Sequence, residues 1–276
     1  MPSLDKAGKL PGMPVLTLTP AQPAARRLPG FARASWRLAR LLAHILRGVL
    51  IANAGFERRD SHERQLVLRT WSQQLLGILG IRVELGAAPA SLPDSKGCLL
   101  LANHVSWLDI FAINTVCPSR FVAKSEIRDW PVLGKLVSKA GTLYIQRNSR
   151  AATASTKREI DHYLTRGESV AFFPEGTTSD GSGLKPFRGG LLQSALDQGV
   201  AIQPILLRYR AANGRLSQAA AYIDDVSLLA SLWRLACEPY TIVELHFLAP
   251  RSGLPATRKE MIRQLEEEMR LHLQAA

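Results

Sequence analysis

Residues 99–109 read Leu-Leu-Leu-Ala-Asn-His-Val-Ser-Trp-Leu-Asp: an apolar run that breaks at Asn103-His104 and closes on Asp109. A short apolar run bounded by polar residues predicts a strand buried on both faces, here Cys98–Ala102. The break puts His104 at the strand tip. Helical spacing over about 107–116 puts Asp109 in the first turn or so of the next helix. On one continuous helix, positions five apart lie ~140° apart around the axis and cannot touch. His104 and Asp109 therefore meet only if the chain folds back between strand and helix.

The same alternation continues on both sides. Strands are expected at Ile81–Leu85, Arg120–Ala123, Thr142–Ile145, Ser169–Phe173, Ala201–Leu207, Ala219–Ile223 and Thr241–Leu248. Helices are expected at about 131–139, 151–166, 188–198 and 226–236. This pattern predicts an α/β fold, a mixed, largely parallel sheet covered by helices. Thr257-Arg258-Lys259-Glu260 has the form of a capping box, and Ile262, Leu265, Met269 and Leu273 follow at helical spacing. The sheet domain is expected over 81–276, after a flexible leader at 1–30 and an amphipathic helical, membrane-associating segment at 31–80.

In that segment Arg33, Arg37, Arg40, His44 and Arg47 recur at steps of four and three, with Leu38, Leu42, Ile45, Leu46 and Val49 opposite. Such a helix is expected to lie on an anionic membrane surface, its basic stripe among the headgroups. The apolar stretch from Thr70 to Ile81 is expected to pair with it as a helical hairpin. No uncharged apolar stretch approaches the ~20 residues of a spanning helix. The prolines at 11, 14, 20 and 23 interrupt any signal-peptide core. These features predict a peripheral or monotopic protein at the cytoplasmic face of the inner membrane.

The net charge of +12 calls for an anionic partner. Residues 1–50 hold eight Lys or Arg against the single acid Asp5, so +7 of that excess sits in the N-terminal piece. Aromatic residues make up 7% and no recognition motif appears, so nucleic acid is not expected as a partner. Cys98, Cys117 and Cys237 show no paired spacing, which argues against a disulfide framework and suits a reducing cytosol. No metal-ligand cluster is visible, so no metal is expected.

Two strand ends carry the chemistry. At the first, Asp109 holding one ring nitrogen of His104 would fix the tautomer and leave the other nitrogen as a general base. The same pair also fits an N-capping or core histidine. At the second, an apolar strand breaks at Pro174-Glu175-Gly176-Thr177-Thr178 and continues through a glycine-rich loop to Lys185 and Arg188. Backbone amides with Lys185 and Arg188 offer a phosphate cradle, and an ordinary surface loop is the alternative. Lys124 and Arg147 end two further strands on cations.

Taken in order, these blocks resemble the glycerolipid acyltransferases. NHVSWLD at 103–109 is similar to the family's first block, a His followed five residues later by Asp. FVAKSEIRDWPVLG at 121–134 with GTLYIQR at 141–147 resembles the second, FPEGTTSDG at 173–181 the third, and the stretch around Ile202–Ile205 the fourth. The resemblance implies acyl transfer from acyl-ACP or acyl-CoA, used as donor substrate with no cofactor, to the hydroxyl of a lysophospholipid acceptor such as 1-acyl-glycerol-3-phosphate. It implies His104 as base, Asp109 as its orienting partner, and Glu175 and Gly176, with Thr177 beside them, positioning the acceptor. Lys124 and Arg147 would face the acceptor's phosphate. Two positions depart from the family pattern: Thr178 stands where many members carry Arg, and Gln146 where an acid is common. Subgroups with the Thr variant include enzymes acting on lyso-ornithine lipids. Two other classes fit the residues less well: a non-enzymatic basic protein binding membrane or nucleic acid, and a thioester hydrolase.

Overall fold

Among the described residues seven of the eight apolar runs find their neighbours in one seven-stranded sheet ordered β1-β7-β6-β2-β5-β3-β4. The strands are β1 Ile81–Leu85, β2 Leu99–Ala102, β3 Arg120–Lys124, β4 Leu143–Ile145, β5 Val170–Phe172, β6 Ile202–Ala211 and β7 Thr241–Phe247. The computed structural model describes residues 29–86, 97–146, 150–252 and 257–275. The leader expected at 1–30 lies outside them up to residue 28, and so does Arg147.

Strands β2 to β6 run in one direction. Strand β7 is antiparallel to β6, and β1 lies parallel to β7. The sheet is therefore mixed and largely parallel, as the alternation predicts. In β2 all four side chains are buried: Leu100 and Ala102 enter one core, Leu99 and Leu101 the other. The first core is covered by α1 (Gly30–Asn53), α2 (Ser61–Leu79), α3 (Asp109–Asn114) and α7 (Leu228–Cys237). The second is covered by α5 (Arg150–Thr165), α6 (Leu192–Gln198) and α8 (Arg258–Ala275), while α4 (Leu133–Lys139) joins β3 to β4.

One expected strand does not form. Residues 219–223 are not in the sheet. Ala220 and Ala221 are buried in a coil whose Tyr222 N–H donates to the Val105 carbonyl at 3.0 Å. Its backbone groups are met by loops, so an apolar run was buried without a ladder.

The helix α1 is amphipathic, but part of the basic stripe expected among headgroups turns inward, while Arg47 stays exposed and Leu38 and Ile45 pack on the core. Arg33, Arg37 and His44 are buried against the body. Phe31, Trp36, Leu42, Leu46 and Leu50 are exposed, Leu42 at 60% and Leu50 at 69%. The cause lies at the end of α7, whose last carbonyls have no partners within their own helix. Arg33 Nη2 donates to the Cys237 carbonyl at 2.6 Å. Arg37 donates to the carbonyls of Ala236 (3.1 Å), Glu238 (2.6 Å) and Pro239 (3.0 Å). Two guanidiniums thus cap the negative end of a helix dipole. Burial, with Arg33 next to it, lowers the Arg37 pKa to about 10, so it stays charged at neutral pH. His44 Nε2 lies 3.1 Å from the Trp71 carbonyl, its ring stacked on Trp71, and this ties α1 to α2. The hairpin expected from Thr70–Ile81 is thus present, with α2 starting earlier, at the Asp60 N-cap that accepts the Glu63 N–H at 2.8 Å.

Candidate active site

Strand β2 ends at Ala102, but Asn103 prolongs its pairing with β6 by a side chain. Asn103 Oδ1 accepts the Leu207 N–H at 2.7 Å, and its Nδ2 donates to the Leu207 carbonyl at 3.0 Å. The next residue, His104, is held by its backbone from both sides. Its N–H donates to Glu175 Oε1 at 2.7 Å, and its carbonyl accepts the Ser179 N–H at 2.8 Å. The histidine thus takes its position from the loop after β5, the neighbouring strand.

The chain then folds back, and Asp109 organises the turn. Its Oδ2 accepts the backbone N–H groups of Val105 (2.8 Å) and Ser106 (3.0 Å) and lies 2.8 Å from His104 Nδ1. Its Oδ1 accepts the hydroxyl of Tyr209 at 2.7 Å. The Asp109 side chain is wholly buried, whereas that of His104 remains 20% exposed. The imidazole stacks on Phe173 with ring centres 3.9 Å apart. With Nδ1 directed at a carboxylate, that nitrogen carries the proton and Nε2 is the acceptor. Among the described residues none hydrogen-bonds Nε2.

Glu175 sits at the end of β5, as expected, but both its oxygens are engaged. Oε1 takes the His104 amide and Oε2 takes the Lys185 amide at 2.9 Å. Burial holds its pKa above the ordinary carboxylate value, and the two amides offset only part of that rise. Gly176 has φ +70°, and Arg188 lies across it, with Nη1 3.7 Å from where a Cβ would stand. Arg188 is exposed, and its backbone N–H donates to the Pro174 carbonyl at 2.9 Å. Thr177 is exposed. Lys185 Nζ donates to the Thr178 carbonyl at 2.7 Å, and the Thr178 hydroxyl donates to the Tyr222 carbonyl. Lys124, exposed, ends β3 on the far side of β5 from β2. His104, Asp109, Glu175, Gly176, Thr177 and Arg188 therefore gather beyond the carboxyl ends of the parallel strands β2 and β5, with Lys124 at the same end of β3. Sequence reading missed Asn103, Phe173, Ser179 and Tyr209. Tyr209 had a signal: it follows Leu207 at the two-residue spacing of a buried strand face, where a phenol needs a partner.

Comparison with known proteins places the chain in a family. A family model described as Acyltransferase matches residues 87–208. A 1-acyl-sn-glycerol-3-phosphate acyltransferase of Neisseria gonorrhoeae is 40% identical over 196 residues, 71% of this chain and 76% of the relative. The chain belongs to the glycerolipid acyltransferase family. Another relative, a lyso-ornithine lipid O-acyltransferase of Pseudomonas aeruginosa, is 38% identical over 211 residues, 76% of this chain and 79% of that one. The fold of this acyltransferase matches the crystal structure of the 1-acyl-sn-glycerophosphate acyltransferase PlsC from Thermotoga maritima. The TM-score is 0.66 and identity 18%, over 89% of this chain and 96% of that one.

In this family member no helix among the described residues is long and apolar enough to cross a membrane. The exposed apolar side chains of α1 instead continue onto α7. Phe31 meets Trp233 edge to face at 5.6 Å, and Leu229 is 78% exposed one turn earlier on α7.

Proposed function

We propose that the chain transfers a fatty acyl group from acyl-ACP or acyl-CoA to the free hydroxyl of 1-acyl-glycerol-3-phosphate, giving phosphatidic acid. The observation that carries this reading is the His104–Asp109 pair, one ring nitrogen fixed on a fully buried carboxylate and the other open. Nε2 of His104 removes the proton of the acceptor hydroxyl as its oxygen attacks the thioester carbon. The tetrahedral intermediate collapses, the carbon–sulfur bond breaks, and the imidazolium returns its proton to the leaving thiolate. Asp109 orients and stabilises the imidazolium. Glu175 acts on the backbone of His104, holding the base in place while Gly176 leaves room for a ligand below Arg188. Lys124, Arg188 and Arg147 supply cations for the acceptor's phosphate.

The enzyme works at a membrane surface, at the cytoplasmic face of the inner membrane, where both lipids reside. It docks through the exposed apolar stripe of α1 with Leu229 and Trp233 of α7. A second acceptor class is supported by the relative from Pseudomonas aeruginosa and by Thr178, whose hydroxyl is committed to Tyr222. The test uses purified protein with labelled acyl donor and two acceptors, lysophosphatidic acid and lyso-ornithine lipid, with His104→Ala as control. Transfer to lysophosphatidic acid that vanishes in the variant supports the main reading. Transfer only to the ornithine lipid keeps the mechanism and replaces the acceptor. Acyl release without any acceptor makes the protein a hydrolase.

A further inference from the structure

Asp109 has two carboxylate oxygens, and they are treated differently. Three donors converge on Oδ2: the imidazole and the amides of Val105 and Ser106. Oδ1 receives the hydroxyl of Tyr209 at 2.7 Å. Tyr209 comes from β6, 100 residues further along the chain, and its side chain is buried in the core under the turn. The register that aims it is fixed by Asn103, which pins Leu207, two residues before it, to the end of β2. Burial and the carboxylate next to it hold the Tyr209 phenol well above its ordinary pKa, so it remains a donor at any working pH.

We infer that Tyr209 is a positioning residue that sets both the orientation and the basicity of the His104–Asp109 pair. The inference rests on the reading of His104 as the base. The phenol fixes which carboxylate oxygen faces the imidazole. It also draws off part of the carboxylate's charge, which limits how strongly Asp109 holds a proton on His104. Other charged groups near the pair are Glu175, whose carboxylate is spent on two amides, Lys185 on the Thr178 carbonyl, and Arg188 across Gly176. Removing the Tyr209 hydroxyl leaves the Asp109 charge concentrated toward His104, so the imidazolium becomes harder to deprotonate.

The test is Tyr209→Phe, which keeps the ring and removes the donor. Histidine NMR on the full chain should show the His104 pKa rising by about half to one unit. With acyl-CoA and lysophosphatidic acid, the acid limb of kcat/KM should move up by the same amount. The kcat should fall about tenfold with both KM values unchanged. Replacing Tyr209 by 3-fluorotyrosine, a stronger donor, should move His104 the other way. In a His104→Ala background Tyr209→Phe should cost nothing further. A drop in melting temperature with no movement of the His104 titration would reduce Tyr209 to packing and overturn the inference. Unimpaired transfer by His104→Ala would instead sink the base assignment, and the NMR shift tells the two failures apart.

Discussion

Two histidines in two regions of the molecule have similar stacking and different oxygen partners. His44, on α1, stacks on Trp71 at 4.7 Å, and its Nε2 lies 3.1 Å from an oxygen. His104, beyond β2, stacks on Phe173 at 3.9 Å, and its Nδ1 lies 2.8 Å from an oxygen. For His44 that oxygen is a main-chain carbonyl and the residue is buried. Burial lowers its pKa, and it serves as a neutral clasp between two helices. For His104 the oxygen belongs to a carboxylate and one edge of the ring remains open. Stacking and a single hydrogen bond do not make a base. On the proposed function, a partner able to balance the positive charge, together with access for a substrate, is what sets His104 apart.

Mutations can break this comparison. The largest effect expected is on His104→Gln, which should lower kcat on the order of 10³-fold with folding retained, measured by transfer and circular dichroism. His44→Gln should leave kcat within about twofold, since glutamine can still donate to the Trp71 carbonyl. Arg37→Met comes next. It strips the donors from the α7 end and should destabilise the fold by about 3 kcal/mol in urea titrations, without changing the His104 titration. Leu42→Asp with Leu46→Asp should then release the protein from vesicles about a hundredfold, while transfer in detergent micelles survives. Wild-type binding that disappears in 0.5 M salt would show that basic side chains, and not the apolar stripe, hold the surface. The smallest effect is acid sensitivity. The folded pKa of His44 is below its unfolded value of about 6.5, so the unfolded chain takes up the proton first. Stability should therefore fall as pH drops below about 6.5, and His44→Gln should remove that part of the slope.

Much of the fold was legible because hydrophobic period and strand ends are local. Ile81–Leu85 is the strand the pattern predicts, residue for residue. Strand β6 runs on to Ala211 where the expected strand stopped at Leu207. Arg208 and Arg210 look like the end of an apolar run, yet Arg210 meets Glu244 across the sheet while Tyr209 points into the core. The His104–Asp109 pair was readable from spacing and block order. The Tyr209 contact was not, because its register depends on Asn103 reaching across to β6. Glu175 was placed at the right strand end, but no sequence signal showed that its carboxylate would be occupied by two amides. The orientation of α1 shows the same limit. A helical wheel separates a basic stripe from an apolar one, but which turns inward depends on the carbonyl end of α7.

That dependence has a consequence for how the chain is made. Arg33 and its partner Cys237 are 204 residues apart. A nascent chain lengthens by about 5–20 residues per second, so α1 waits roughly ten to forty seconds before the carbonyls it caps have been synthesised. Throughout that interval α2 is the partner available to α1, through the His44–Trp71 contact, and the guanidiniums of Arg33 and Arg37 lack their carbonyls. The clasp on α7 joins parts of the chain 204 residues apart, so it forms late in the growth of the polypeptide.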